Sequence, residues 1–168
     1  EENMNKPLCI VTAPVATRSG YGAHSRDIVR ALIKLDRFDV KIWSVRWGNT
    51  PMNALHKDDP NDKMIIDRML SEPNLPTQPE IHIHLVIPNE FQPLGKKNIG
   101  ITAGIEHTQP PAQWIEGVNR MDMTICTSEF TKSGFQDTLY DKQDVNTGQP
   151  IGELKVVKPL EVLFEGAD

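Results

Sequence analysis

Cysteine is scarce in this 168-residue chain. The two present, Cys9 and Cys126, both sit inside apolar, strand-like runs. They read as small buried hydrophobes, and no disulfide between them is expected. Positive charge is also in short supply, with 18 Lys plus Arg against 23 Asp plus Glu and a formal charge of -5. Without a basic run, a nucleic-acid groove is disfavoured. No stretch approaches the roughly 18 apolar residues that could cross a bilayer. The opening "EENMNK" is acidic and has no apolar signal-peptide core. These absences lead to the expectation of a soluble, cytoplasmic protein with no nucleic-acid partner and no transmembrane segment, with Met4 read as the native start. The length suits a single domain spanning residues 1–168, large enough to bury roughly 70% of its unfolded surface.

What the chain does have is alternation. Short β-rich runs, "PLCIVTA" (Pro7 to Ala13), "FDVKIWSV" (Phe38 to Val45), "IHIHLVI" (Ile81 to Ile87), "NIGITAG" (Asn98 to Gly104), "MTICTS" (Met123 to Ser128) and "LEVLFEG" (Leu160 to Gly166), are separated by helical patterns. The continuous apolar character of the first run is that of a parallel strand covered on both faces. Ile28, Leu32 and Leu35 repeat at helical spacing, predicting a helix over Gly22 to Leu35. Further helices are predicted over Asp62 to Leu70, over Pro111 to Met121 with Pro110 and Pro111 in the first turn, and from an N-cap at Ser128 to about Tyr140. Asn49 to Pro60 and Asp141 to Pro159 are polar and turn-rich, and read as surface excursions. The expected fold is α/β, a doubly wound, mostly parallel sheet with helices on both faces.

The stretch "TAPVATRSGYGAHSRDIVRAL" (Thr12 to Leu32) runs from a strand through glycines into a helix. Such a junction suits an anion, because unpaired N–H groups and the positive end of the helix dipole converge there. The dinucleotide fingerprint needs its first glycine directly after the strand, a third glycine two residues beyond the second, and an acid about 20 positions on. Here Pro14 to Ser19 intervene before Gly20, Ser25 stands near the third position, and Arg46 rather than an acid follows the second strand. An NADP-binding oxidoreductase is therefore the least favoured reading.

A displaced loop of this kind, with proline, a polar stretch and "SGYG" opening a helix that ends in "RAL", resembles the first loop of GT-B fold glycosyltransferases, especially the large retaining group called family 4. "GIEHTQPPAQWIEGVNRMDMTICTSEFTKSGF" (Gly104 to Phe135) is similar to that group's strand, histidine-bearing loop, helix and following "S-x-F-x-K" motif. "VLFEGAD" (Val162 to Asp168) resembles the point where its N-terminal domain hands over to the interdomain linker. The resemblance implies the Rossmann-like half of a GT-B fold, the acceptor-side domain of an enzyme transferring sugar from a nucleotide-sugar donor to an unknown acceptor. It also implies a C-terminal nucleotide-sugar domain, or a partner chain supplying one. That domain's paired glutamates are not matched convincingly here: Glu72 with Glu80 and Glu153 with Glu161 have the spacing but flank proline-containing surface segments. No cofactor is implied, and neither is a metal-binding Asp-x-Asp, which the chain lacks.

By the same resemblance His107 would be the catalytic residue, meeting the sugar as a hydrogen-bond donor. Ser19, Gly20, Tyr21, Gly22, His24, Glu106, Ser128 and Lys132 would contact substrates. Simpler roles stand beside each. Gly20 and Gly22 could merely permit a turn, and His107 could be satisfied by loop carbonyls. Ser128 could be only a cap, Lys132 only an exposed helix charge, and Glu106 only solvated. Arg18, Tyr21 and His24 flank the loop without a required role. His82 and His84 alternate on one strand, so both rings face one side, but nothing near them in sequence supplies the further ligands zinc requires. From a different class, a non-catalytic binding module with the same cleft remains the alternative function.

Overall fold

In the computed structural model, residues 6–16, 20–45, 54–56, 58–70, 77–102, 110–143 and 146–162 are described. The first apolar run forms β1 (Leu8–Ala13), followed by α1 (Gly20–Leu35), β2 (Asp39–Ser44), α2 (Pro60–Ile66), β3 (Ile81–Leu85), a 3-10 turn (Pro88–Glu90) and β4 (Lys97–Thr102). Next come α3 (Ala112–Arg120), β5 (Met123–Cys126), α4 (Glu129–Asp137), a hairpin of β6 (Tyr140–Gln143) and β7 (Pro150–Leu154), and β8 (Leu160–Val162). Six of the strands make one parallel sheet in the order β2-β1-β3-β4-β5-β8, so the fold is α/β and Rossmann-like. From β1 the chain steps out to β2 and then returns to the other side of β1 for β3. The strand order therefore reverses between β1 and β3, and in such sheets ligands bind outside the carboxyl ends of the strands at that point.

Register separates the side chains into two sets. Cys9, Val11 and Ala13 align with Val40, Ile42, Ile81 and Ile83 across the neighbouring strands. These residues gather with Val29 of α1 and Ile65 of α2 into one core cluster. The alternate set is polar for much of its width, with Thr12, His82, His84, Asn98, Thr102 and Thr124 all buried. Cys126 and Leu160 of this set join Phe91, Ile115 and Val118 of α3, and Phe135 of α4, in a second cluster.

Several boundaries differ from those read in the sequence. Helix α1 starts at Gly20, two residues early, because glycine imposes no side-chain obstacle to the first turn. Helix α2 starts at Pro60, where Asp59 caps it by accepting from Asn61 N at 2.9 Å. It stops at Ile66 instead of reaching Leu70. The outer edge of β2 claims the residues beyond: Ile42 N donates to Arg68 O at 2.9 Å and Leu70 N to Ile42 O at 2.7 Å. An open strand edge offers unpaired backbone groups, and three residues satisfying them outweigh one more helical turn. Pro111 caps α3 from outside its first turn.

The largest correction concerns Asp141 to Pro159, which is not simply a polar excursion. It contains most of the antiparallel β6–β7 pair, with a register shift between Lys142 and Gln143. Leu154 is buried in the second core cluster, and the Tyr140 hydroxyl donates to Pro110 O at 2.7 Å. Packing on α3, not local pattern, makes these strands. Asn119 of α3 holds the chain after β7, donating to Lys155 O at 2.8 Å and accepting from Val157 N at 2.9 Å. Among the described residues, no helix is long and apolar enough to cross a membrane.

Candidate functional site

The carboxyl end of β1 is closely pinned. Val15 is fully buried, and its carbonyl accepts from Arg26 Nη1 at 2.9 Å, so the second turn of α1 reaches back to hold the loop that feeds it. Ala16 O accepts from Ala54 N at 3.1 Å, and Ala13 O from Val45 N at 3.1 Å, which ties in the segments after β2. From this anchored loop the chain enters α1 at Gly20, beside the point where the strand order reverses. The first turn of α1 contains no acidic residue to neutralise the dipole's positive end.

Gly22 is buried within this first turn and has no positive φ, so any need for glycine there is one of space. His24 is also buried, and its Nε2 is enclosed without a hydrogen-bond partner among the described residues. Helical side chains lean toward the N-terminus, which sets His24 over the Gly20–Tyr21 end of the helix. An unpaired buried polar atom is costly, and its persistence beside a helix N-terminus marks a place to look for a ligand. Gly20 and Tyr21 lie in α1, while Ser19 and Arg18 fall outside the described residues, as do Glu106 and His107.

At the carboxyl end of β5, Ser128 is the N-cap of α4. Its Oγ caps α4 by accepting from Thr131 N at 3.2 Å and donates to Thr131 Oγ1 at 3.1 Å. Lys132 is half-buried on the next turn and forms no ion pair among the described residues. It lies close enough to Cys126 to favour that thiol's ionised form. Burial dominates all the same, pushing the Cys126 thiol up to about 11, while Cys9 is pushed up to about 12. Both cysteines are free and buried, as expected.

His82 and His84 do not face each other as metal ligands. His82 Nδ1 lies 2.9 Å from Gln92 O, a carbonyl that only accepts, so Nδ1 carries the proton. Its Nε2 then accepts from the Thr12 hydroxyl at 2.8 Å. His84 has the opposite tautomer, with Nδ1 accepting from Gln92 N at 3.1 Å. Burial holds both rings neutral, depressing His82 to about 4 and His84 to about 3. Among the described residues no group of three potential ligands could hold a metal.

Sequence reasoning missed Arg26 as the loop's anchor, and missed the salt bridge of Arg30 Nη2 to the buried Asp62 at 2.7 Å that fastens α1 to α2. Neither pair has a local signal, since 11 and 32 residues separate the partners. At the opposite, amino edge of the sheet, Lys97, Ile99, Asp122, Met123 and Pro159 line a small cavity of about 270 Å³. Comparison with known protein families, curated proteins and solved structures finds no match to this chain.

Proposed function

We propose that this chain is the acceptor-side domain of a cytoplasmic glycosyltransferase of the GT-B type, working with a nucleotide-sugar domain across a cleft. One observation carries the reading: a glycine-opened, acid-free helix N-terminus stands at the strand-order reversal, at the carboxyl edge of a parallel sheet. The ordered sequence resemblance spans the same elements. In this reading the donor's diphosphate approaches the backbone N–H groups of Gly20 to Ala23, where a Cβ at Gly20 or Gly22 would obstruct it. Negative charge grows on the diphosphate as the sugar departs, so fixed N–H dipoles stabilise the transition state more than the bound donor. His107 donates a hydrogen bond to the reacting sugar, with Glu106 on acceptor hydroxyls.

The test is a titration of the isotope-labelled chain with a panel of nucleotide-sugars and, separately, with NADPH. Amide shifts at Gly20, Tyr21, Gly22 and Ala23 on adding a nucleotide-sugar are expected, and Gly22→Val should remove them in a chain that still folds, as its remaining amide spectrum would show. Shifts with NADPH alone would assign the chain to the oxidoreductase class. Loss of folding in Gly22→Val, together with no shift in the wild type, would reduce the glycines to a structural role.

A further inference from the structure

Between β3 and β4 the segment Val86–Lys96 crosses the polar side of the sheet, and its attachment is unusual in chemistry. Both backbone groups of one residue, Gln92, are held by two neighbouring histidines in opposite tautomers: His82 Nδ1–H donates to Gln92 O, and Gln92 N–H donates to His84 Nδ1. The rings lie 5.1 Å apart. Phe91 packs against Gly100, where an added Cβ would come within 2.6 Å of its ring, and is fully buried. Gly95 presses so closely on β3 that a Cβ there would lie 2.8 Å from His82 N.

We propose that this segment is an acid-released strap, with His84 as its trigger. A proton on His84 Nδ1 abolishes the acceptor for Gln92 N–H and sets two donors against each other. A proton on His82 is less disruptive, because the Thr12 hydroxyl can rotate to accept from Nε2–H. Once both rings are charged they repel at 5.1 Å in a site with little water.

The surroundings offer no relief. Facing the rings are Thr12 of β1, Asn98 and Gly100 of β4, and Phe91, Gln92 and Gly95 of the strap. The charged group that α3 brings to the strap is Arg120, a cation that donates to Phe91 O at 3.1 Å and Asn89 O at 3.0 Å. Asp122, ahead of β5, is engaged with Asn98 N at 2.7 Å, and Glu90 is exposed on the 3-10 turn. No carboxylate hydrogen-bonds either imidazole among the described residues. Both histidines are neutral in the closed state and recover ordinary basicity when the strap lifts, so falling pH favours the open form. The release point is local. The strap's fastenings include the two histidine bonds, the Arg120 bonds, the Asn98–Gly95 pair and Phe91. Pro88 is packed on Gly117 of α3 at one end and Lys96 is bonded to Pro79 O and Glu80 at the other, so the stretch around Gln92 lifts while the sheet beneath keeps its backbone pairing.

Native-state hydrogen exchange across a pH series decides the matter. Between pH 6.5 and 4.5, protection of the Gln92 amide, corrected for intrinsic rates, should fall at least tenfold while staying well below that of Val11 and Ile83 in the sheet at every pH, because the strap opens without the sheet. Linkage sets an upper scale of about 50-fold over this interval for each histidine released, since a free imidazole is already half-protonated at pH 6.5. In His84→Asn, whose side-chain oxygen can accept from Gln92 N–H but takes no proton in this range, the fall should shrink at least threefold, leaving what His82 contributes. Equal protection at Gln92, Val11 and Ile83 throughout the series would overturn the proposal, since the strap would then open only with the sheet. An unchanged fall in His84→Asn would overturn the role of His84. Should that variant not fold, the wild-type comparison alone still separates strap release from global opening.

Discussion

Thr12 illustrates how much a single buried hydroxyl can decide. It supplies the donor that the bare Nε2 of His82 needs, while the Gln92 carbonyl, which only accepts, fixes the proton on Nδ1. Thr12→Val keeps the shape but leaves Nε2 buried without a donor, at a cost of about 1–3 kcal/mol. Urea unfolding should show a lower midpoint with unchanged slope, and Thr12→Ser should recover most of the loss. The same histidines give the stability a pH dependence whose sign is determined by burial. Their folded values lie below the ordinary 6.5, so the unfolded chain takes up protons first. Stability is intact above about 6.5 and declines as pH falls from there toward 4, by about 1.4 kcal/mol per unit for each ring. Chemical denaturation at pH 7, 6 and 5 measures this, and His82→Asn with His84→Asn should flatten the trend.

Elements meet most tightly where α3 crosses the 3-10 turn. A Cβ built on Gly117 would lie 1.8 Å from Pro88 O, a backbone atom that cannot rotate aside. Gly117→Ala should therefore destabilise by about 1–3 kcal/mol despite the better helix propensity of alanine. A Tm drop of roughly 2–4 °C per kcal/mol is expected by differential scanning calorimetry. The cap at Ser128 and the amphipathic stripe of α1 were legible in sequence, because caps and helical periodicity are local signals. The β6–β7 hairpin was not. Apolar residues are sparse along it, and its buried member Leu154 finds its partners on α3. The end of α2 was overestimated for a related reason: the competing partner for Arg68 to Leu70 is an edge of β2, well separated along the chain.

At the level of the whole molecule, the proposed chemistry predicts a null result with the chain alone. Sugar transfer needs donor and acceptor held together in a water-poor cleft, and a single Rossmann-like wall supplies half of it. The purified 168-residue chain should transfer no sugar at a useful rate from any of a panel of nucleotide-sugars, assayed by release of nucleoside diphosphate. Robust turnover would remove the need for a second domain. Adding a separately expressed nucleotide-sugar domain is the complementary experiment, and restored transfer is the expected outcome.

By itself the sequence determined the alternation of strands and helices, the burial of both cysteines and the glycine entry into α1, because each depends on residues a few positions apart. Tertiary structure alone decided the strand order, and with it the reversal between β1 and β3 that puts the start of α1 at the sheet's carboxyl edge. It also decided that Arg26 anchors the first loop and that His82 and His84 hold the two backbone groups of Gln92. The physical reason is shared. Burial strips these polar groups of water, and the partners that replace it come from whichever segment the sheet brings alongside, at separations no local pattern encodes.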